Sequence, residues 1–259
     1  MRADIYLVEN GLVESRNKAS RLISDGKVLL DGHLIKKPSE NIDGEHKIEI
    51  LEDDKYVGRG GLKLEGALEA FKVDVAGKRC IDVGASTGGF TDCLLQRGAS
   101  FVCAVDSGRG QLHPRLLSDI RVSSIEGFNA RNLTPADFGV FDVAVTDVSF
   151  ISQTLLHGPI DSVMLDGGLF ISLIKPQFEA GKSALGKNGI VKKPQDRIAA
   201  INRVIESAAL YGLGLVGLVR SPIEGGDGNR EYLALFKKGY ITEFSEEFIK
   251  KLTKNLCAD

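Results

Sequence analysis

The sequence predicts an α/β protein, a doubly wound and mostly parallel sheet with an antiparallel last strand, preceded by a small α+β module. Three observations predict it. From Leu62 onward, strand-length apolar runs alternate with helical patterns, the signature of a parallel sheet covered on both faces. Between the first such strand and its helix lies a glycine-rich turn, Asp82-Val83-Gly84-Ala85-Ser86-Thr87-Gly88-Gly89-Phe90. Ahead of all this, residues 1–57 read as a helix, a hairpin and a further strand, too little to continue the same sheet.

A chain of 259 residues, 43% apolar and 26% charged, holds one ordinary α/β domain plus a small module. The net charge of −2 shows no global basicity, so any nucleic-acid contact comes from a local patch. Cys80, Cys93, Cys103 and Cys257 form no Cys-x-x-Cys pair, which fits a reducing compartment and no structural metal. The N-terminus has no apolar signal-peptide core. The longest apolar stretch, 208–219, is glycine-broken and too short to span a bilayer. We therefore expect a cytoplasmic protein that does not enter membranes.

In the first module (1–57), Ser15 caps a helix over 16–25 that Gly26 stops. Ala19, Leu22 and Ile23 form its inner face and leave Arg16, Lys18 and Arg21 outside. Val28-Leu29-Leu30, the turn pair Asp31-Gly32 and His33-Leu34-Ile35 read as a hairpin, with Lys36 and Lys37 beyond it. A last strand follows at 47–51. Basic residues dominate from Glu14 to Lys37 and acids from Glu40 to Asp54, which leaves one basic face. A solvated helix surface is the plain alternative. This helix and hairpin resemble the alpha-L RNA-binding motif of a ribosomal small-subunit protein and of pseudouridine synthases. The resemblance implies a grip on RNA backbone by Arg16, Lys18, Arg21, Lys36 and Lys37.

Glycines at 58, 60 and 61 predict a linker over 58–61. In the second domain (62–239) strands are expected near 79–83, 100–105, 121–125, 140–146, 168–174, 213–219 and 231–237. Helices are expected near 62–71, 88–97, 151–165 and 194–210. The last two strands have no helix between them and so form an antiparallel hairpin, the usual ending of a class I methyltransferase sheet. Residues 240–259 close the chain with an amphipathic helix.

The glycine turn is neither Gly-x-Gly-x-x-Gly nor followed by Gly-Lys-Ser/Thr, so a dinucleotide or a cradled phosphate fits it less well. Asp82 at the strand end suits a ligand with a cationic head, and the aminoacyl end of S-adenosylmethionine qualifies. Gly84, Ser86, Gly88, Gly89 and Phe90 complete the turn. Asp106, about twenty residues past the turn, stands where an acid holds ribose hydroxyls. Asn129 reads as an adenine contact or a turn residue. Asp147-Val148-Ser149-Phe150 lacks the paired prolines of enzymes that methylate exocyclic amines, which points to another acceptor. Lys175 follows an apolar strand directly, and a hydroxyl acceptor needs a base of that kind.

Taken in order, 59–65, 82–90, 147–150, 175–179 and 228–232 resemble the hemolysin A family over nearly the whole chain. Its members look like ribosomal RNA 2′-O-methyltransferases with an alpha-L module ahead of an FtsJ-type domain. That resemblance implies a catalytic set of Lys63, Asp147, Lys175 and Glu231, with Lys175 as base, and ribosomal RNA or ribosomal subunits as partner. Asp147 would also face the cofactor. Ser107-Gly108-Arg109 departs from the family's commoner Val-Gly after the ribose acid. A non-catalytic RNA-binding or assembly factor is the rival reading, and a membrane-acting hemolysin a distant third.

Overall fold

The computed structural model describes residues 1–24, 26–44, 46–51, 55–226, 228–242 and 246–258. The chain divides into two units, Met1–Lys55 and Tyr56–Asp259.

The first unit opens with α1 (Ala3–Glu9) and α2 (Arg16–Ser24), then β1 (Val28–Leu30), β2 (His33–Leu34) and β3 (Ile48–Ile50). Ser15 Oγ accepts from Lys18 N at 3.3 Å, which is the expected cap. The expected helix end at Asp25 lies outside the described residues. Asp31 and Gly32 both take positive φ (49° and 82°), the twist that a two-residue hairpin needs. The sheet runs β2-β1-β3, all antiparallel. Ala3, Leu7, Ala19, Leu22, Ile23 and Val28 fill its core. The α1 helix was not expected from the sequence; only Ala3 and Leu7, four apart, signal its inner face.

The second unit begins with α3 (Gly60–Phe71), so the helix starts inside the expected linker. Glycine is used there for close packing, not for flexibility. A Cβ on Gly61 would lie 2.3 Å from the Tyr56 ring, and one on Gly60 3.3 Å from Phe90. Then come β4 (Arg79–Val83), α4 (Gly89–Gln96), β5 (Phe101–Asp106), α5 (Pro114–Leu117), β6 (Val122–Glu126) and α6 (Pro135–Phe138). The chain continues through β7 (Phe141–Thr146), α7 (His157–Ser162), β8 (Met164–Ile174), α8 (Pro176–Glu179), α9 (Pro194–Ala209), β9 (Leu213–Arg220), β10 (Tyr232–Lys238) and α10 (Glu246–Cys257). The helix expected over 151–165 is instead a 3₁₀ turn, Gln153–Leu155, and the short α7. Pro159 lacks the N–H that a continuous helix requires, and β8 already begins at Met164.

The seven strands run β6-β5-β4-β7-β8-β10-β9, parallel except for β10, which is antiparallel to both neighbours. Side chains alternate across the sheet. Ile81, Val83, Cys103 and Val105 join a core with Ile201, Val204 and Ala208 of α9. Cys80, Val102 and Ala104 join the opposite core with Leu64 of α3 and Leu94 of α4. Among the described residues no helix is long and apolar enough to cross a membrane. The sheet grows from β4 outward to β6 and then returns to β7 on the other side of β4. A strand order that reverses in this way opens a crevice at the strand C-termini.

Candidate active site

Two cavities occupy that crevice. The larger, about 380 Å³, is lined among others by Gly84, Ser86, Asp106, Asn129, Asp147 and Phe150. The smaller, about 220 Å³, is lined by Arg59, Ser86, Gly89, Phe90, Asp147 and Lys175 and their neighbours. Gly84, Ser86, Asp147 and Ser149 line both, so the two spaces meet at the ends of β4 and β7.

Gly84 must be glycine. Its φ is +88°, and a Cβ would sit 2.9 Å from the Asp147 carbonyl oxygen. Gly88 serves packing: a Cβ there would lie 2.2 Å from Leu116 Cδ1, and it lines neither cavity. Asp82 lines neither cavity as well. It is fully buried beneath the turn, where Oδ2 accepts from Thr91 Oγ1 at 2.7 Å and Oδ1 has no partner among the described residues. Burial pushes its pKa up to about 7, against the opposing bond from Thr91 and with help from the nearby Asp147 and Asp106 carboxylates.

Asp106 braces the turn. Its Oδ2 accepts from Ser86 N at 2.8 Å and its Oδ1 from Gly108 N at 2.7 Å. Asn129 plays the turn part, with Oδ1 accepting from Arg131 N at 3.2 Å, and it also lines the larger cavity. A residue that no sequence motif marks holds the next wall. Glu126, at the end of β6, accepts from Gly110 N at 2.5 Å, Gln111 N at 2.9 Å and Leu112 N at 3.2 Å. These bonds hold its carboxyl below the usual carboxylate range and fix the loop that carries Gln111 into the larger cavity.

The four charged side chains make two ion pairs. Lys175 Nζ lies 2.6 Å from Asp147 Oδ1 and donates to Ser149 Oγ at 2.8 Å. Lys63 Nζ lies 2.5 Å from Glu231 Oε2, with both side chains buried. Strand register explains the convergence. Thr146 pairs with Ser172, and Ile174 pairs with Tyr232, so Asp147, Lys175 and Glu231 leave adjacent strand ends. A Cβ on Gly60, one turn before Lys63, would come 3.5 Å from Asp147 Oδ2, which puts the start of α3 at the same corner. Lys63 and Glu231 line neither cavity.

In the sequence Phe150 stands out only as part of a motif. It is 93% exposed at the mouth of the larger cavity and takes φ +64°, a strained value for an aromatic residue. Its ring lies 5.3 Å from that of Phe178, which in turn sits 5.9 Å from Lys175 Nζ. In the first unit, Lys36 and Lys37 are exposed and Lys18 and Arg21 half-buried. Arg16 is already engaged: its Nη2 lies 3.2 Å from Oδ2 of the buried Asp4.

A doubly wound sheet with an antiparallel β10, a glycine turn after β4 and acids at three adjacent strand ends defines a class I methyltransferase. Residues 56–238 match the FtsJ-like methyltransferase family, and residues 1–48 match the S4 domain. The chain belongs to the hemolysin A (TlyA) family of FtsJ-like methyltransferases. It is 45% identical to the 16S/23S rRNA (cytidine-2′-O)-methyltransferase TlyA of Mycobacterium tuberculosis, over 89% of this chain and 87% of that one. It is 42% identical to Hemolysin A of Brachyspira hyodysenteriae, over 91% and 99%. A solved structure from Streptococcus thermophilus described as a hemolysin superposes with a TM-score of 0.79 at 41% identity, over 99% of this chain and 95% of that one.

Proposed function

We propose that this protein transfers a methyl group from S-adenosylmethionine to a ribose 2′-hydroxyl of ribosomal RNA, with Lys175 as the base. The observation that carries this reading is the Lys175–Asp147 pair at 2.6 Å, at the junction of the two cavities. The site fits the methyl donor. Asp147 offers a carboxylate beside the close backbone approach at Gly84, while Asp106, Phe128, Asn129 and Ala130 offer polar and apolar walls to a nucleoside. When bound, that molecule supplies a methyl carbon activated on a sulfonium. Everything else falls to the chain.

A ribose hydroxyl is a weak nucleophile, and its proton must leave as the oxygen takes the methyl group. Lys175 Nζ, held in place by Asp147 and Ser149, is the group that accepts the proton. The Lys63–Glu231 pair steadies the adjacent strand end behind it. Most of the remaining task is alignment of oxygen, carbon and sulfur. Phe150 offers an exposed ring at the mouth, where an unstacked base of the target nucleotide finds a face to lie on. The first unit supplies grip on the RNA through Lys18, Arg21, Lys36 and Lys37. Such a substrate places the protein in the cytoplasm.

Lys175→Arg tests the assignment, because guanidinium stays protonated at any working pH. Single-turnover methylation of ribosomal subunits at saturating donor should fall by about 10²–10⁴-fold, with donor binding retained. Near-wild-type turnover in that variant would remove Lys175 from the chemistry.

A further inference from the structure

Two segments carry the Lys175–Asp147 pair. One is 147–151, which leaves β7 and lines the larger cavity. The other is Lys175 with α8, which ends at Glu179. Beside the cavities they meet through the Lys175 bonds to Asp147 and Ser149. They meet a second time at Glu179, which is 3% exposed and lines neither cavity. Its Oε2 accepts from Ser152 Oγ at 2.6 Å and its Oε1 from Gln153 N at 2.9 Å.

The groups around Glu179 are anchored in turn. Gln153, 2% exposed, accepts through Oε1 from Ser172 Oγ of β8 and donates from Nε2 to Leu173 O at 3.5 Å. Arg203 of α9 donates to the Glu179 carbonyl oxygen. The far end of segment 147–151 is thereby tied to α8, β8 and α9, while at its near end Asp147 N donates to Val83 O at 3.2 Å. Burial raises the Glu179 pKa, against the bonds from Ser152 and Gln153 and the nearby Arg203 charge. An apolar side chain would fill the same space without that desolvation. What the carboxyl adds is two acceptors at a fixed reach.

We propose that Glu179 is a positioning residue for methyl transfer: by tying Ser152 and Gln153 to the end of α8, it sets the gap across which Lys175 reaches Asp147 and Ser149. Little chain is left to absorb a shift. Only Phe150 and Ile151 stand between Ser149 and Ser152, and only Pro176, Gln177 and Phe178 between Lys175 and Glu179. Pro176 stiffens the second path by fixing its own φ. The rings of Phe150 and Phe178, 5.3 Å apart, pack the same two segments together. In an aligned transfer, a displacement of about 1 Å costs up to about 10²-fold in rate. The proposal rests on the Lys175–Asp147 pair doing the chemistry on ribosomal RNA.

The test is single-turnover methylation of ribosomal subunits by the full-length chain, at saturating donor and saturating subunits. Glu179→Asp keeps the charge but draws the carboxyl back by about 1.5 Å, and the rate should fall by about 10–10²-fold. Glu179→Gln keeps the reach, because its amide oxygen accepts from Gln153 N while its NH₂ donates to Ser152 Oγ, so the rate should stay within about threefold of wild type. Donor affinity by calorimetry should be unchanged in both, which also shows that each is folded. Ser152→Ala removes one of the two bonds and leaves the acid in place; its rate should fall in the same direction by a smaller factor. A wild-type rate in donor-binding Glu179→Asp, or in Ser152→Ala if Glu179→Asp does not fold, overturns the proposal and leaves the carboxyl a role in stability alone. A loss in Glu179→Gln as deep as that in Lys175→Arg overturns it as well, because the acid itself and not its reach would then matter. A wild-type chain that transfers no methyl group to the subunits would instead remove the ribosomal RNA reading, and this proposal with it.

Discussion

Asp82 shows how one buried carboxyl limits the fold. Its pKa, raised by burial to about 7, means that the folded chain holds a proton which the unfolded chain releases near pH 4. The stability tied to that proton is complete below the ordinary carboxylate range and is lost as pH rises through about 7. Asp82→Asn removes the dependence. In denaturant titrations of the donor-free protein, the wild type should lose stability relative to this variant between about pH 4 and 7, with a constant gap above. Using the difference between the two chains cancels His157, whose burial lowers its pKa to about 4 and tilts the wild-type curve the other way. Parallel curves would mean that Asp82 is ionised in the folded state at all these pH values. At this scale the sequence showed which residues to watch but not their depth. It gave no hint that Asp82 lies under the turn while Asp147 faces both cavities.

Among the elements, the strands were the most legible. Each expected strand of the main sheet has a counterpart, because buried parallel strands are written as apolar runs. The four-residue helices α5, α6 and α8 escaped notice, although each opens with a proline at its first position, Pro114, Pro135 and Pro176. The loop between β5 and α5 was equally silent. A lone glutamate at a strand end carries no motif, yet Glu126 gathers three backbone N–H groups of that loop. Glu126→Gln keeps the shape but loses the charge that suits three donors. The donor KM should then rise about tenfold, with kcat within a factor of two or so. A fall in kcat at unchanged KM would show that the loop serves the reacting end instead.

The whole chain joins an S4 domain at residues 1–48 to an FtsJ-like methyltransferase at 56–238, and the two parts should fail separately. Arg16 is a poor probe of RNA grip, because its removal strips a partner from the buried Asp4, whose pKa is held down to about 2 mainly by Arg2 and also by Arg16. Lys18, Lys36 and Lys37 are better targets. Their joint replacement by alanine should weaken subunit binding and lower its salt slope by roughly 2–3, with donor affinity unchanged. An unchanged slope would place the RNA elsewhere. The sequence made the two-part organisation legible through the helix, hairpin and strand that stand ahead of the alternating β and α run. It misjudged the junction, because glycines packed against Tyr56 and Phe90 look the same in sequence as flexible ones.

On the proposed reading the methyl group lands on a ribose oxygen of ribosomal RNA, and the chemistry of the RNA backbone tests this directly. A free 2′-hydroxyl lets alkali cleave the adjoining phosphodiester, and a 2′-methoxy group blocks that cleavage. Ribosomal subunits lacking this modification should be incubated with the purified protein and S-adenosylmethionine, and their RNA then hydrolysed in alkali and mapped. An alkali-resistant linkage should appear with the wild-type chain and not with Lys175→Arg. Methyl incorporation into a base, with every linkage still cleaved, would contradict it.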